Sequence, residues 1–207
     1  MRILIACEYS GVVRNAFMAK GHDVISCDLL PSEDDSPYHY QGDVRDLLGQ
    51  QWDLLIGHPP CTYNTLAGIR WMYHPDDTHL EASQRRRHPN YPNRMDDFLA
   101  GVEFFNLLKS APIPRICLEN SQPHGLAMKH IGRSRQIAQP WMFGEPYTKG
   151  AHLWLKNLPL LKPTHSKEDY EKIFAACHHA SPGPDRWKER SRTYKGIAEA
   201  MATQWNF

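Results

Sequence analysis

Polar side chains follow the first two apolar segments of the sequence, at the points where those segments end. Cys7–Gly11 follows the first segment, Asp28 ends the second, and Asp43 and Val44 come soon afterwards. A glycine turn that opens a helix offers backbone amides to a polar ligand, and an acid that ends a second strand receives ribose hydroxyls in nucleoside-binding folds. An acid next to an apolar residue suits a purine. Each feature also has an ordinary explanation, as a turn glycine, a helix N-cap or a surface acid.

A thiol stands at a more distinctive position, behind the apolar segment Leu54–Ile56. In Pro59-Pro60-Cys61 the two prolines fix the backbone, so that the cysteine side chain is presented rigidly. Polar residues follow this cysteine, which is typical of a reactive thiol. Glu119-Asn120 comes directly after another apolar segment. The pattern predicts a nucleophile and a carboxylate at the same edge of a sheet.

The elements that position these residues are short apolar runs that alternate with amphipathic segments. Runs rich in Ile, Leu and Val are typical of strands buried on both faces. Helical spacing occurs between Gly11 and Gly21, in Asp96–Ser110, in Lys167–Ala176 and in Thr193–Trp205. The alternation predicts an α/β fold with a mostly parallel central sheet and helices on both faces. The predicted strands are Arg2–Cys7, Asp23–Cys27, Asp53–Ile56, Arg115–Leu118, Gln136–Met142 and Ala151–Leu155.

Residues 70–95 interrupt this alternation with a segment that is rich in charge and poor in apolar residues. The segment contains Arg70, Trp71 and the run Arg85-Arg86-Arg87, and this combination of positive charge and aromatic rings suits an opened nucleic-acid strand. A basic run is also typical of a solvated surface. We expect a long basic loop here, inserted within one domain that spans residues 1–207.

The composition restricts the classes of protein to be considered. The 207 residues carry 24 Lys and Arg against 23 Asp and Glu, so no global positive field attracts polyanions. A membrane helix needs an apolar run of about 18 residues or more, and no run in this sequence is that long. No signal peptide is evident either, so the sequence predicts a soluble cytoplasmic protein. Five widely spaced cysteines argue against a disulfide framework. The group His165, Cys177, His178 and His179 matches no zinc spacing, so no metal is predicted.

These motifs, in this order, resemble those of the DNA cytosine-5 methyltransferases, and in particular the small phage and prophage forms. Pro59-Pro60-Cys61 matches the loop that supplies the nucleophile of that family, and Glu119-Asn120-Ser121 matches its Glu-Asn-Val motif. The resemblance implies a Rossmann-like methyltransferase fold, S-adenosylmethionine as cofactor and DNA as partner. It also implies a bacterial or phage-infected host cell, and methyl transfer to C5 of cytosine through a covalent bond between Cys61 and C6.

The resemblance assigns roles to single residues. Cys61, Glu119 and Lys149 are the implied catalytic group, with Lys149 in the place of a base-contacting arginine. The implied cofactor contacts are Glu8, Tyr9, Ser10, Gly11, Asp28, Leu29, Asp43, Val44, His58, Pro59, Thr193 and Tyr194. The implied DNA contacts are Arg70, Trp71, Arg85, Arg86, Arg87, Arg186 and Lys188.

The sequence departs from the family pattern in several places. Glu8–Gly11 replaces the usual Phe-Ala-Gly-x-Gly turn, and a second base-contacting arginine is absent after Phe143–Pro146. Arg192–Ala198 is similar to the last motif of the family but lacks its asparagine. Only residues 160–191 remain for target recognition. This very small recognition region predicts low or short sequence specificity.

The implied chemistry begins with activation of a poorly nucleophilic ring. Attack of a Cys61 thiolate at C6 gives an enamine or enolate whose C5 takes the methyl group. Glu119 hydrogen bonds or protonates N3, and either water or His58 removes the C5 proton. A cytosine within a duplex must first be flipped out of the stack.

Other functions remain open from the sequence. An exocyclic-amine methyltransferase carries an aromatic residue after its Pro-Pro, and Cys61 decides against that reading. Methylation at C5 of RNA or of a free nucleotide fits the same residues, as does a noncatalytic cofactor-binding or DNA-binding relative. The oligomeric state is not indicated.

Overall fold

The computed structural model describes residues 1–175, 188 and 191–207. The chain divides into two compact units. Unit 1 comprises Met1–His58, Pro112–Glu119 and Ser134–Phe207, and unit 2 comprises Pro59–Ala111 and Asn120–Arg133. No helix among the described residues is long and apolar enough to cross a membrane. The single domain over residues 1–207 stays a prediction.

Unit 1 is built on a seven-stranded sheet, of which only the terminal Asn120 belongs to unit 2. The strands are β1 (Arg2–Ala6), β2 (Asp23–Asp28), β3 (His39–Gln41), β4 (Leu54–Gly57), β5 (Arg115–Asn120), β6 (Gln136–Ala138) and β7 (Ala151–Lys156), in the order β3-β2-β1-β4-β5-β7-β6. Strands β1 to β5 pair in parallel, whereas β6 and β7 pair antiparallel. The predicted α/β class with a mostly parallel sheet is confirmed.

One face of the sheet carries helices α1 (Val12–Met18) and α5 (Lys195–Gln204). Ile3 and Ile5 of β1 pack in the same core cluster as Phe17 of α1 and Trp205 behind α5. Leu4 points to the opposite face and is also fully buried. Burial of both faces explains why β1 reads as a continuous apolar run without alternation.

Unit 2 contains the helices α2 (Leu66–Ile69), α3 (Arg94–Lys109) and α4 (Gly125–Ile131). Phe98, Val102, Phe105 and Leu108 of α3 are buried at helical spacing, whereas Leu99 is 47% exposed.

Two of the predicted elements are wrong in their extent. The strand predicted over Gln136–Met142 ends at Ala138, because Pro140 has no amide for a strand ladder and opens a 3₁₀ turn. Of the helix predicted over Lys167–Ala176, the residues up to 175 that the structure describes form only one 3₁₀ turn, Lys167–Asp169. The chain then leaves the helical path because Phe174 bonds with Pro146 and Thr148 through its backbone.

Candidate active site

Several predicted site residues lie at the carboxyl ends of strands in unit 1. Glu8 follows β1, Asp28 ends β2, Asp43 follows β3, His58 follows β4, and Glu119 is near the end of β5. Because β1 to β5 run parallel, these ends share one edge of the sheet, which is where such sheets bind ligands. The fold therefore gathers these five side chains on one edge, and their roles stay predictions.

In the turn after β1, the Glu8 carboxylate accepts hydrogen bonds from the first amides of the helix that follows. Glu8 is buried and accepts hydrogen bonds from the amides of Val13 (2.6 Å) and Arg14 (3.1 Å) at the start of α1. Burial raises the pKa of Glu8, although His58 and these two amides oppose the shift. Gly11 has a φ of 70°, and a Cβ there would lie 2.3 Å from the Arg14 guanidinium. The helix amides that the sequence offered to a ligand are thus already bonded to Glu8.

Tyr9 joins the same turn to the segment before α5. Its hydroxyl lies 3.1 Å from Ser191 Oγ and donates to the carbonyl of Lys188 (3.2 Å). Tyr9 is buried, whereas Ser10 is partly exposed. Lys188 thus takes part here through its backbone, and Arg186 lies outside the described residues.

Arg14 is a fully buried arginine that belongs to none of the sequence motifs. It forms an ion pair with Asp34 and donates to Ser26 Oγ (2.8 Å), which in turn lies 2.9 Å from His39 Nδ1. These contacts hold the loop between β2 and β3, the loop that begins at Asp28. The available signal was a charged residue on the apolar side of α1.

Two acids at the ends of β2 and β3 have different surroundings. Asp28 is partly buried, and burial raises its pKa, although a backbone amide donates to it. Leu29 beside it is 72% exposed. Asp43 accepts bonds from the amide and the guanidinium of Arg45, which lower its pKa, and Val44 is buried.

His58 and Glu119 meet across the neighbouring strands β4 and β5. The distance from His58 Nδ1 to Glu119 Oε2 is 3.3 Å. The His58 ring is nearly buried, with 9% of its side chain exposed, whereas Glu119 is 20% exposed. The carboxylate therefore keeps access to solvent, and the imidazole behind it does not.

In unit 2 the loop that carries Cys61 is held by residues 120–124. Cys61 itself is exposed. The loop is bonded through its backbone: Asn120 Nδ2 donates to the carbonyl of Pro59, the Leu66 amide to Gln122 and the His124 amide to Asn64, each at 3.1 Å. The Pro-Pro-Cys and Glu-Asn-Ser motifs are thus joined at their Pro59 and Asn120 residues.

His124 makes two further bonds from a fully buried position. Its Nδ1 accepts the amide of Ala127 (3.0 Å) and so caps α4. The ring hydrogen therefore lies on Nε2, which donates to the carbonyl of Tyr63 (3.1 Å). Burial lowers the pKa of His124, although the bond to Tyr63 opposes the shift. The lowered pKa favours this neutral form. Nothing in the sequence singles out His124, since a histidine three residues before an alanine carries no motif.

The arginine run of residues 85–87 is bonded within its own segment. Arg86 forms an ion pair with the buried Asp77 (2.6 Å), and Arg87 with Asp96 (2.8 Å). Arg85 donates to the carbonyls of Leu80 and Thr78. Two of the three positive charges in this run are therefore neutralised locally.

Arg70 and Trp71 belong to a different environment. The Arg70 guanidinium lies 4.7 Å from the Trp71 ring centre, and Trp71 contacts Tyr91 edge-on at 5.4 Å. His88 is buried beneath the two rings. Trp71 and Tyr91 are 36% and 44% exposed, so an aromatic and basic surface is presented to solvent.

Lys149, Thr193 and Tyr194 lie on the side of unit 1 near α5. Lys149 Nζ is 5.5 Å from the Tyr194 ring, and Thr193 and Tyr194 line a groove of about 780 Å³ beside α1. Glu145 accepts the amide of Gly196 (2.9 Å) at the start of α5. A Cβ at Gly196 would lie 1.8 Å from the carbonyl oxygen of Phe143, so glycine is required there.

Within residues 1–175, 188 and 191–207, no three His, Cys, Asp or Glu residues are grouped so that they could hold a metal ion. Cys177, His178 and His179 lie outside the described residues.

Comparison with known proteins finds similarity in fold and none in sequence. No family model and no curated protein sequence matches the chain. An E. coli prophage-encoded protein assigned as a DNA modification methyltransferase matches with a TM-score of 0.46 and 12% identity, over 88% of this chain and 55% of that one. A mutant of DNMT2 from Spodoptera frugiperda matches with a TM-score of 0.40 and 13% identity, over 84% of this chain and 54% of that one.

The chain thus spans about half the length of these two proteins.

Proposed function

We propose that the chain transfers a methyl group from S-adenosylmethionine to C5 of cytosine in DNA, through a covalent bond between Cys61 Sγ and C6. The observation that supports this most concerns the loop of residues 59–66, called the thiol loop below. Its backbone is fixed by hydrogen bonds, while its Cys61 side chain is exposed. Cys61 is exposed, while the backbone around it is bonded to Asn120 and His124. Asn120 directly follows Glu119 in the chain. A nucleophile held in this way needs little reorganisation to react.

The residues at the sheet edge fit S-adenosylmethionine. Asp28 is a partly buried carboxylate whose neighbour Leu29 is 72% exposed, a pair that suits a ribose and an adenine face. His58 Nε2 is buried and has no hydrogen-bond partner among the described residues, so a polar ligand atom could satisfy it. Asp43, Val44, Thr193 and Tyr194 would complete the contacts, and Glu8 would act by fixing the turn after β1. When bound, the cofactor supplies an electrophilic methyl group.

The chain's own residues would act on the pyrimidine in a fixed order. Cys61 attacks C6 as a thiolate, and the electron pair of the C5–C6 double bond moves into the ring. Glu119 hydrogen bonds N3 and Lys149 contacts the base, which stabilises this adduct. After C5 has taken the methyl group, its proton leaves to a base and the Cys61–C6 bond breaks. The released thiolate returns to its first state.

The DNA contacts follow from the charges that remain. Arg70 with Trp71 and Tyr91 forms an exposed surface on which a base can stack, whereas Arg86 and Arg87 are paired with carboxylates. We therefore assign strand binding to Arg70 and Trp71 first. A target within a duplex would have to be flipped out of the stack.

Covalent trapping tests the reaction and the nucleophile together. Wild-type protein and Cys61→Ala would be incubated with radiolabelled S-adenosylmethionine and an oligonucleotide in which 5-fluorocytosine replaces every cytosine. Fluorine at C5 blocks the final elimination, so the wild type should form a labelled complex that survives denaturing electrophoresis and maps to Cys61. The same oligonucleotide with ordinary cytosine should be methylated without a trapped complex.

Cys61→Ala should give neither product. Label on RNA or on a free nucleotide, with none on DNA, would overturn the proposed substrate. Label on DNA with no protein adduct would overturn the covalent route.

A further inference from the structure

His58 is anchored in the sheet and faces Glu119 with one nitrogen. Its amide donates to the carbonyl of Ala6 (2.9 Å), which continues the pairing of β4 with β1. Gly57 and Leu118 are register partners, so His58 and Glu119 lie side by side on neighbouring strands. The 3.3 Å contact between Nδ1 and Oε2 therefore follows from strand register and does not depend on a mobile loop.

The surroundings of His58 favour its protonated form. The charged groups around it are the carboxylates of Glu8 and Glu119 from the neighbouring strands β1 and β5, the carboxylate of Asp28 at the end of β2, and the amine of Lys149 from the segment before β7. Burial and Lys149 oppose a positive charge on the ring. The bond to Glu119 and the charges of Glu119 and Glu8 outweigh them, and the pKa of His58 is raised.

Glu119 requires a source of protons if it is to protonate N3, and His58 can be that source. A carboxylate accepts hydrogen bonds but has no proton to give to N3 of a cytosine adduct. A protonated imidazole at 3.3 Å is a source of that proton, and its near-complete burial prevents direct contact with bulk water.

Resting on the proposed function, we propose that His58 is a positioning residue that orients Glu119 and supplies the proton which Glu119 passes to N3. Thiolate attack at C6 places an electron pair on the ring. The Glu119 carboxylate takes the Nδ1 proton of His58 and gives it to N3. The sequence ends with a neutral imidazole, a Glu119 carboxylate and a neutral adduct. The proton returns along the same path when the thiolate is eliminated.

Two variants separate orientation from proton supply. In His58→Asn the amide nitrogen stands where Nδ1 does and can still donate to Glu119, but it has no transferable proton. His58→Ala removes both functions. The wild-type rate should fall at high pH, as His58 loses its proton. In His58→Asn, kcat near neutral pH should be about 10 to 100-fold lower, this alkaline fall should vanish, and KM for DNA should change little. His58→Ala should be slower still.

A wild-type kcat in His58→Asn, or an alkaline fall that persists in it, would overturn the inference. Equal rates in His58→Asn and His58→Ala would overturn the orienting role.

A second measurement is independent of turnover and of the variants at position 58. Nuclear magnetic resonance of ¹⁵N-labelled histidines would follow the titration of His58 in the wild type and in Glu119→Gln. Loss of the carboxylate should lower the pKa of His58, while the signal of His22, bonded to the N-terminus, stays as it was as an internal control. An unchanged titration of His58 would overturn the pairing. An inactive wild type that still shows this shift would instead count against the proposed function alone.

Discussion

The turn after β1 and the loop after β4 leave neighbouring strands of one sheet but use their polar groups in opposite ways. In the turn, the Glu8 carboxylate is bonded to the first amides of α1, and burial raises the pKa of the Cys7 thiol far above its ordinary range. In the loop, the Cys61 side chain is exposed and the backbone carbonyls take the bonds. A segment that is held by its backbone can present its side chain for chemistry, whereas one held by its side chains cannot.

The largest expected effect comes from removal of the exposed thiol, which tests this contrast directly. Cys61→Ala should lower methyl transfer to DNA by about a thousandfold or more, because it removes the thiolate that attacks C6. S-adenosylmethionine affinity, measured by calorimetry, should be almost unchanged. Cys27→Ser is the matched control, since it removes a buried thiol but keeps a donor for the carbonyl of Gly42. Wild-type activity in Cys61→Ala would end the assignment.

Thiol alkylation compares the two environments in the unmodified protein. Burial raises the pKa of Cys27 from 9.0 to about 12, which lowers its thiolate fraction by about a thousandfold. Cys7 and Cys117 are affected in the same direction. Iodoacetamide should therefore label Cys61 well before these three, as peptide mapping by mass spectrometry would show. Equal labelling of Cys61 and Cys27 in the native protein would contradict the contrast. Cys177 lies outside the described residues and would be mapped separately.

A substitution at His124 removes one of the hydrogen bonds that hold the thiol loop. In His124→Asn the side chain can still cap α4, because asparagine is a favoured N-cap, but it is too short to reach the carbonyl of Tyr63 as well. We expect methyl transfer to fall about tenfold with little loss of stability. His124→Ala should lose about 1–2 kcal/mol of unfolding free energy in addition. Full activity in His124→Asn would mean that the bond to Tyr63 does not position the loop.

The same residue gives a pH dependence with a definite sign. The folded state lowers the pKa of His124 below the ordinary 6.5, so its contribution to stability is present above that value and is lost as the pH falls below it. Urea unfolding should show the wild type losing stability relative to His124→Asn over this range. A difference that is constant with pH would exclude the neutral form as the structural one.

The smallest expected effect concerns the turn after β1. Glu8→Ala leaves the Val13 and Arg14 amides without their acceptor and should cost about 1–2 kcal/mol of unfolding free energy. Glu8→Gln keeps one acceptor oxygen and should cost less. Because burial raises the pKa of Glu8, the wild type should lose stability relative to Glu8→Gln as the pH rises above the ordinary 4.5. Denaturant unfolding at several pH values measures both.

The elements of the sheet that are buried on both faces could be predicted closely from the sequence. Strands β1, β2, β4 and β5 lie within a few residues of their predicted bounds, because continuous apolar runs have few alternative folds. The short β3 and helix α4 were missed. Tyr40 and Gln41 of β3 are exposed, so β3 lacks an apolar signal, and α4 is capped by a histidine in place of a common N-cap residue.

The basic segment shows where reasoning from composition fails. The composition of residues 70–95 predicts a long basic loop with few apolar residues, yet Met72, Asp77 and His88 are buried. Charge alone does not reveal that Arg86 is paired with Asp77, nine residues earlier, because an ion pair within a loop depends on its three-dimensional course.

The sequence alone determined the class of the fold, the order of the motifs and the presence of a rigid Pro-Pro-Cys loop, since apolar patterning and proline geometry act locally. Only the tertiary structure decided which polar groups are already bonded. Glu8 caps α1, Arg86 is paired with Asp77, and His58 contacts Glu119 through the register of β4 and β5. These partners are separated by up to 61 residues in the chain, and burial and pairing at that distance are settled only when the sheet has formed.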